Sequence, residues 1–340
     1  MRSDWVAASV RARSMAQRRV GAGTCRELAA AAGLHAVLPR LADSVYGDEL
    51  RGVRTLAEAQ RATRRTVLWQ LRVLAGWLPA GGTRLIRAAA AAFEADNILA
   101  LDRALHRNQP AGGSPDFDLG ALATAWPRLR TAGTAEELRA ALAASPWGDP
   151  GPGSPAADVL TVVWLRRLAS EAAAVRPWAA TAGVLICARL LLVEHAEPGE
   201  RLVSLLRPLI GTAWTGSDSL QALRSALPPA SAQVLEEVEA PSDLWRAEAG
   251  FAGRVESDGF SLLRAGLPGP DVVLGAMAVL AADAWRVRAA LAAATLNSAS
   301  GNTLNTAAGS TTATGASGTG PSGTGLSTPT GTSEVLDAVA

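Results

Sequence analysis

The sequence has no lysine, and all 32 basic residues in its 340 are arginine. This removes several chemistries at once: a phosphate-loop lysine, a Schiff-base lysine and a kinase-type strand lysine. Aromatic residues other than tryptophan are scarce, with one tyrosine and four phenylalanines. Clusters of β-branched residues and alternating apolar–polar runs are also missing, and strands need both. The two cysteines, Cys25 and Cys187, are too few and too far apart for a disulfide framework or a zinc site. His35, His106 and His195 each stand away from any second histidine or cysteine, and no HExxH or CxxC spacing occurs. Helix-surface or helix-end positions suit them better than metal ligation. Charge of one sign is lacking too. Thirty-two basic residues against 31 acidic give +1, so the chain exerts no global pull on nucleic acid or anionic lipid. The N-terminus, Met1-Arg2-Ser3-Asp4-Trp5, carries no apolar run, so no signal peptide is expected. The most apolar segments, 179–193 (interrupted by Arg189) and 272–284, are shorter than the ~20 residues needed to span a bilayer. They read as buried core helices of a cytosolic protein.

What is present is alanine, leucine and arginine, all strong helix formers, in a chain that is 49% hydrophobic. The expected class is all-α. Leu56, Thr63, Val67, Leu71, Leu74 and Leu78 recur on one helical stripe. Ile86, Ala90, Phe93, Asn97, Leu101 and Leu105 form a second, and Val273, Met277, Leu280, Ala284, Val287 and Leu291 a third. Proline- and glycine-rich breaks fall at 79–82, 108–115 and 147–155. From 296 to 332 the chain turns to glycine, serine and threonine, too polar to offset its ordering entropy, and is expected to be disordered.

An internal repeat is also visible. Gly23-Thr24-Cys25-Arg26-Glu27-Leu28 opens a leucine-rich unit that closes on Asp43-Ser44-Val45-Tyr46-Gly47-Asp48. Gly133-Thr134-Ala135-Glu136-Glu137-Leu138 opens another that closes on Ser145-Pro146-Trp147-Gly148-Asp149. Each starts with threonine and a glutamate three residues on, the spacing of a capping box. A weaker copy runs from Gly216-Ser217-Asp218-Ser219-Leu220 to Leu227-Pro228-Pro229. Two or three copies of one helical unit are implied.

Motifs that carry catalytic chemistry are sparse. Gly21-Ala22-Gly23 and Gly81-Gly82-Thr83 follow no credible strand and fit tight turns before helices better than phosphate loops. No Gly-x-Ser-x-Gly elbow appears in the helical region. The acidic runs Glu136-Glu137 and Glu236-Glu237-Glu239 fit solvated helix faces rather than an acid/base dyad. No metal, cofactor or catalytic residue is expected. Two arginine clusters, Arg11, Arg13, Arg18 and Arg19, and Arg61, Arg64 and Arg65, are candidate docking charges for an acidic protein surface.

The N-terminal third resembles the C/d-type coupling subunits of the rotary V-type and A-type ATPases. The resemblance rests on Val10-Arg11-Ala12-Arg13-Ser14-Met15, on Asp43-Ser44-Val45-Tyr46-Gly47, and on Phe93-Glu94-Ala95-Asp96-Asn97-Ile98-Leu99 followed by Arg103. It extends, with substitutions, to Asp283-Ala284-Trp285-Arg286-Val287-Arg288. There aspartate stands for the family's glutamate and arginine for its asparagine. The middle copy, Gly183-Val184-Leu185-Ile186-Cys187-Ala188-Arg189, keeps only the arginine. In all, Val6 to about Ala294 is covered. The resemblance implies three related helical-bundle domains arranged as a funnel, at 1–108, 109–211 and 212–297, followed by a disordered tail at 298–340. It implies a non-catalytic coupling component on the cytoplasmic face of the membrane, between the rotor ring and the central stalk of a proton-translocating ATPase or ATP synthase. It implies no cofactor and no nucleic acid. Its motif residues here are Tyr46, Gly47, Phe93, Asp96, Asn97, Asp283 and Arg288. Asn97, on the apolar stripe, should be buried and hydrogen-bonded to a neighbouring helix end. Asp96 should reach Arg103 only indirectly. Asp283 and Arg286, three apart, should form a surface ion pair worth only ~0.3 kcal/mol. The competing reading is a stand-alone helical adaptor or regulator that binds protein or nucleic acid.

Overall fold

The computed structural model describes residues 3–107, 116–264 and 266–309. Among these residues all regular structure is helical and no strand occurs. In chain order the α-helices are α1 (Val6–Gln17), α2 (Ala22–Ala29), α3 (Leu34–Leu41), α4 (Gly47–Leu50), α5 (Leu56–Ala75), α6 (Thr83–His106), α7 (Trp126–Leu129) and α8 (Ala135–Ala143). They continue with α9 (Ala156–Glu171), α10 (Arg176–Leu192), α11 (Glu200–Ile210), α12 (Leu220–Ala226), α13 (Pro229–Ala232), α14 (Leu244–Leu263) and α15 (Pro270–Gly309).

The three apolar stripes become α5, α6 and α15. Thr63, Val67, Leu71 and Leu74 of the first are buried, as are Ile86, Ala90, Phe93, Asn97 and Leu101 of the second. The third is buried throughout, and α15 is apolar on all sides over 272–280, as a helix enclosed by others must be. It packs on α14, which precedes it, and also on α1, α2, α3 and α5. The end of the described chain thereby closes against its beginning. Elsewhere α6 packs on α5 and α9, and α10 on α9, α11 and α14. These long helices meet around an apolar cavity of about 40 Å³ lined by Val67, Leu71, Trp178, Val255, Leu274 and Met277, among others.

Local start signals place the helices. Thr55 and Glu58 form a capping box ahead of α5: the Glu58 N–H donates to Thr55 Oγ1 at 3.2 Å, and Glu58 Oε2 accepts from the Thr55 N–H at 3.0 Å. Thr134 caps α8, accepting from the Glu137 N–H at 3.1 Å, but the return bond of the expected box falls one residue earlier, from the Gly133 N–H to Glu137 Oε2 at 2.7 Å. The box expected at Thr24 and Glu27 does not form. The N-cap of α2 is Gly21, with φ +84°, so Thr24 lies inside the helix, and Glu27 pairs with Arg40 instead.

Two boundaries differ from the sequence reading. The helix α15 runs on to Gly309, past the expected start of the tail at 298. The stretch 298–309 contains no proline, the strongest helix breaker. The rest of the expected tail, 310–340, and the break at 108–115 lie outside the described residues. Helical residues 173–192, counted together, are long and apolar enough to cross a membrane by length and composition, which the shorter span 179–193 does not suggest. Of the most apolar window in that stretch, 72% is buried inside the fold.

Candidate functional site

Glu94 and Asp283 are fully buried carboxylates in the middle of long helices, and both are held by backbone N–H groups. Leaving an ionisable group in an apolar core is costly unless its oxygens are saturated with donors. Here they are. Glu94 Oε1 accepts from the Ala125 N–H at 2.6 Å, the Trp126 N–H at 2.9 Å and Trp147 Nε1 at 3.2 Å. Its Oε2 accepts from the Thr124 N–H at 2.8 Å and Thr124 Oγ1 at 2.7 Å. These N–H groups are the free donors at the start of α7, where a carboxylate also meets the positive end of the helix. Asp283 repeats the device on α15. Its Oδ1 accepts from the Gly21 N–H at 2.7 Å, and its Oδ2 from the Val20 N–H at 3.1 Å and the Tyr46 hydroxyl at 2.9 Å. The turn into α2 thus directs the Val20 and Gly21 N–H groups to the protein's own carboxylate.

The repeat seen in sequence is a repeat of hydrogen bonds. The Ser44 hydroxyl donates to the Leu41 carbonyl at 2.7 Å and accepts from the Tyr46 N–H at 3.2 Å. The Ser145 hydroxyl donates to the Leu142 carbonyl at 2.8 Å and accepts from the Trp147 N–H at 3.1 Å. Each turn aims one fully buried aromatic, Tyr46 or Trp147, at one buried acid. The glycine that follows is required in both, for different reasons. A β-carbon on Gly47 would overlap the Ala42 carbonyl oxygen, and Gly148 sits at φ +71° against Arg201. Ahead of the weaker third copy, Thr212-Ala213-Trp214 repeats the tripeptide Thr124-Ala125-Trp126. In α10 the missing side chain of Gly183 makes room for Leu206, whose Cδ2 would lie 2.7 Å from a β-carbon there. Trp214 Nε1 turns to the Gly211 carbonyl at 3.0 Å.

Among the expected motif residues, Tyr46 and Asp283 are brought together and Gly47 lies beside them. Phe93, Asp96 and Asn97 form a second group within a turn of Glu94. Asn97 is buried and doubly bonded to the backbone of Phe117: Nδ2 donates to its carbonyl at 2.9 Å, and Oδ1 accepts from its N–H at 2.8 Å. The partner is an irregular segment rather than a helix end. The Phe117 ring meets Phe93 edge-on at 5.2 Å. Asp96 forms an ion pair with Arg64 of α5, not with Arg103, because Arg64 is buried alongside while Arg103 bonds the Leu99 carbonyl one turn back. The expected Asp283–Arg286 surface pair is corrected likewise. Asp283 faces inward, and Arg286 pairs with Glu256 of α14 through both terminal nitrogens, at 2.5 and 2.6 Å. Arg288 is buried.

The arginine clusters separate in the same way. Arg13 donates to the Leu263 carbonyl at 3.2 Å, and Arg19 lies over Phe260 at 4.7 Å. Arg61 lies over Phe117 at 4.3 Å, Arg64 is only 8% exposed, and Arg65 pairs with Glu49 at 2.6 Å. These five side chains brace the fold. Arg11 and Arg18 remain, at the edge of a groove between α1 and α5.

Burial pushes the Cys25 thiol up to about 12, with the Asp283 charge adding to it, and drives Cys187 well above its ordinary value. Neither thiol is a nucleophile at neutral pH. The Tyr46 hydroxyl is likewise raised by burial and by Asp283, so it stays a donor.

A third buried cluster joins α9, α10 and α14. Arg189 pairs with Asp158 at 2.5 Å and with Glu194. Glu248, 4% exposed, stands near enough to Arg189 to feel its charge, yet burial pushes its carboxyl up to about 7. The native state therefore holds this proton more tightly than the unfolded chain does, and the contribution of Glu248 to stability falls as pH rises from about 4.5 to about 7. Wild type should lose up to about 3 kcal/mol relative to Glu248→Gln over that range. Urea denaturation of both proteins at pH 5 and pH 8 checks this, and parallel pH profiles would refute it.

Sequence reasoning does not single out Glu94, although it shares with Asp283 the spacing acid-x-x-(Asn97 or Arg286)-(Ile98 or Val287). No protein-family model matches this chain, and no curated protein matches it.

Proposed function

We propose that this chain is a non-catalytic coupling component of a rotary proton-translocating ATPase or ATP synthase, a divergent relative of the C/d-type subunits. In this reading it stands on the cytoplasmic face of the membrane between the rotor ring and the central stalk. Three related units, 1–108, 109–211 and 212–297, would form its funnel. The observation that supports this best is the pair of buried acids. The residues that carry the resemblance lash a small helical unit to a long helix, once through Asp283 and Tyr46 and once beside Glu94 and Trp147. A part that passes torque needs such internal fastening and needs no reaction centre. Groups fixed by several charge-assisted bonds shift little under load, since several must break together.

Affinity purification of the tagged chain from its own cells tests the reading. Recovery with ring and stalk subunits is the expected result. Isolation only as a free monomer, while the other subunits assemble without it, would overturn it.

A further inference from the structure

We propose that the groove between α1, the turn at 44–49 and α5 is a docking site for an acidic, leucine-bearing peptide segment of a partner protein. The inference does not rest on the coupling reading. The groove holds about 270 Å³, room for two or three side chains but not for a folded domain. Arg11 and Arg18 stand at it, and among the described residues neither side chain has an ion pair or a hydrogen bond. The acids beside them are already engaged: Glu49 with Arg65 at 2.6 Å, Asp48 with Arg51 at 2.9 Å. The uncompensated charge of the groove is therefore positive. Arg11 Nε is buried without a partner. So is Oε1 of Gln70, a residue 2% exposed on the groove wall. Buried polar atoms of this kind are rare unless a ligand or water completes them.

The chemistry of these atoms selects the occupant. Gln70 Oε1 is an acceptor and calls for an N–H, which a peptide backbone supplies and a phosphate does not. Two free guanidiniums call for carboxylates. Val45 and Trp69, the latter 52% exposed, offer apolar surface for an aliphatic side chain above the buried Met15. Asp48 and Glu49 on the rim repel a nucleic-acid backbone, whose charge is continuous, but leave room for spaced carboxylates.

Fluorescence anisotropy of the full chain tests the proposal. The probe is a fluorescein-labelled, amidated decapeptide of alternating glutamate and leucine. Saturable binding is expected. It should weaken about tenfold or more in Arg18→Glu and in Arg11→Glu, and with a glutamine–leucine peptide, while Arg130→Glu at the end of α7 leaves it unchanged. Arg18 is exposed, so its variant should keep the wild-type melting temperature, and a loss of binding there cannot be laid to misfolding. Absence of saturable binding, or an equal loss in Arg130→Glu, overturns the proposal. Binding that appears only after deletion of residues 310–340 would give the groove to the chain's own Glu334–Asp337 stretch. Loss of a dimer on adding peptide would give it to a second copy. Either result overturns the assignment to a partner.

Discussion

Replacing Glu94 by alanine should cost about 4–5 kcal/mol of folding stability, a large fraction of the ~5–15 kcal/mol that holds a typical protein together. Five donors lose their acceptor at once: the N–H groups of Thr124, Ala125 and Trp126, the Thr124 hydroxyl and the Trp147 indole. An unsatisfied buried donor costs ~1–3 kcal/mol, but the five are not additive, because water can enter the space left by the side chain. Glu94→Gln tests whether charge or shape matters. It keeps one oxygen but turns an NH₂ group toward donors, so about 3 kcal/mol should still be lost. Arg167 sharpens the expectation. It lies over the Trp147 ring at 5.1 Å and donates to Thr124 Oγ1 at 3.3 Å. Burial lowers its pKa while the Glu94 charge works the other way. Removing the acid leaves this half-buried cation without its nearest opposite charge. Guanidinium denaturation of both variants measures the loss, and the near-ultraviolet dichroism difference between Trp147→Phe and wild type isolates the Trp147 signal. A loss below about 1 kcal/mol would show that the acid is not a fastening point.

The helices are legible in the sequence because apolar stripes at helical spacing survive any tertiary arrangement. The stripes around Val67, Phe93 and Met277 each form one long helix, and Asn97, a polar residue on a stripe, reads from that position as buried and bonded. The serine–aromatic–glycine turns at 44–47 and 145–148 are legible as a repeat, since their hydrogen bonds are local. The partner of each turn is not. Tyr46 meets an acid 237 residues away, and nothing in local spacing marks a contact of that separation. Glu94 is hidden for a related reason. In an alanine-rich helix a lone glutamate looks like a solvated charge, and Asp96, two residues on, looks equally eligible. Only geometry shows that Glu94 points at the start of α7 while Asp96 points at α5. Arg61, Arg64 and Arg65 mislead for the opposite reason. A run of guanidiniums looks like a surface, but an arginine can lay its plane on a ring or bury a single ion pair, and these do both. The start of α2 lies earlier than its threonine suggests: the chain enters the helix at Gly21, anchored by Asp283, so Thr24 already sits inside it and the N–H groups it would cap are bonded within the helix.

Replacing Asp283 by asparagine should cost about 3–4 kcal/mol, and its particular consequence should be to loosen the closure of the chain. The side chain accepts from Val20, Gly21 and Tyr46, so it ties α15 to the turn before α2 and to the aromatic that ends the first small unit. Charge-assisted bonds of this kind are worth more than neutral ones. An asparagine amide cannot accept from all three donors, and one of them must face its NH₂ group. Tyr46→Phe removes a single donor and should cost about 1.5 kcal/mol, within the range for a hydrogen bond to a charged group. The two changes touch one oxygen, so their effects should not add. In the Tyr46→Phe background Asp283→Asn should lose about 1 kcal/mol less than in wild type. A strictly additive cycle would mean that the Tyr46 hydroxyl finds its stabilisation elsewhere. Hydrogen exchange discriminates further. If Asp283 is what holds the start of α2, the amides of residues 20–29 should exchange faster in Asp283→Asn, while those of α7 and of the turn after α8, fastened through Glu94, should be unaffected. The converse pattern is expected for Glu94→Gln. Two independent fastenings of this kind leave each small unit able to open alone, whereas a single cooperative network would make all regions respond to either substitution.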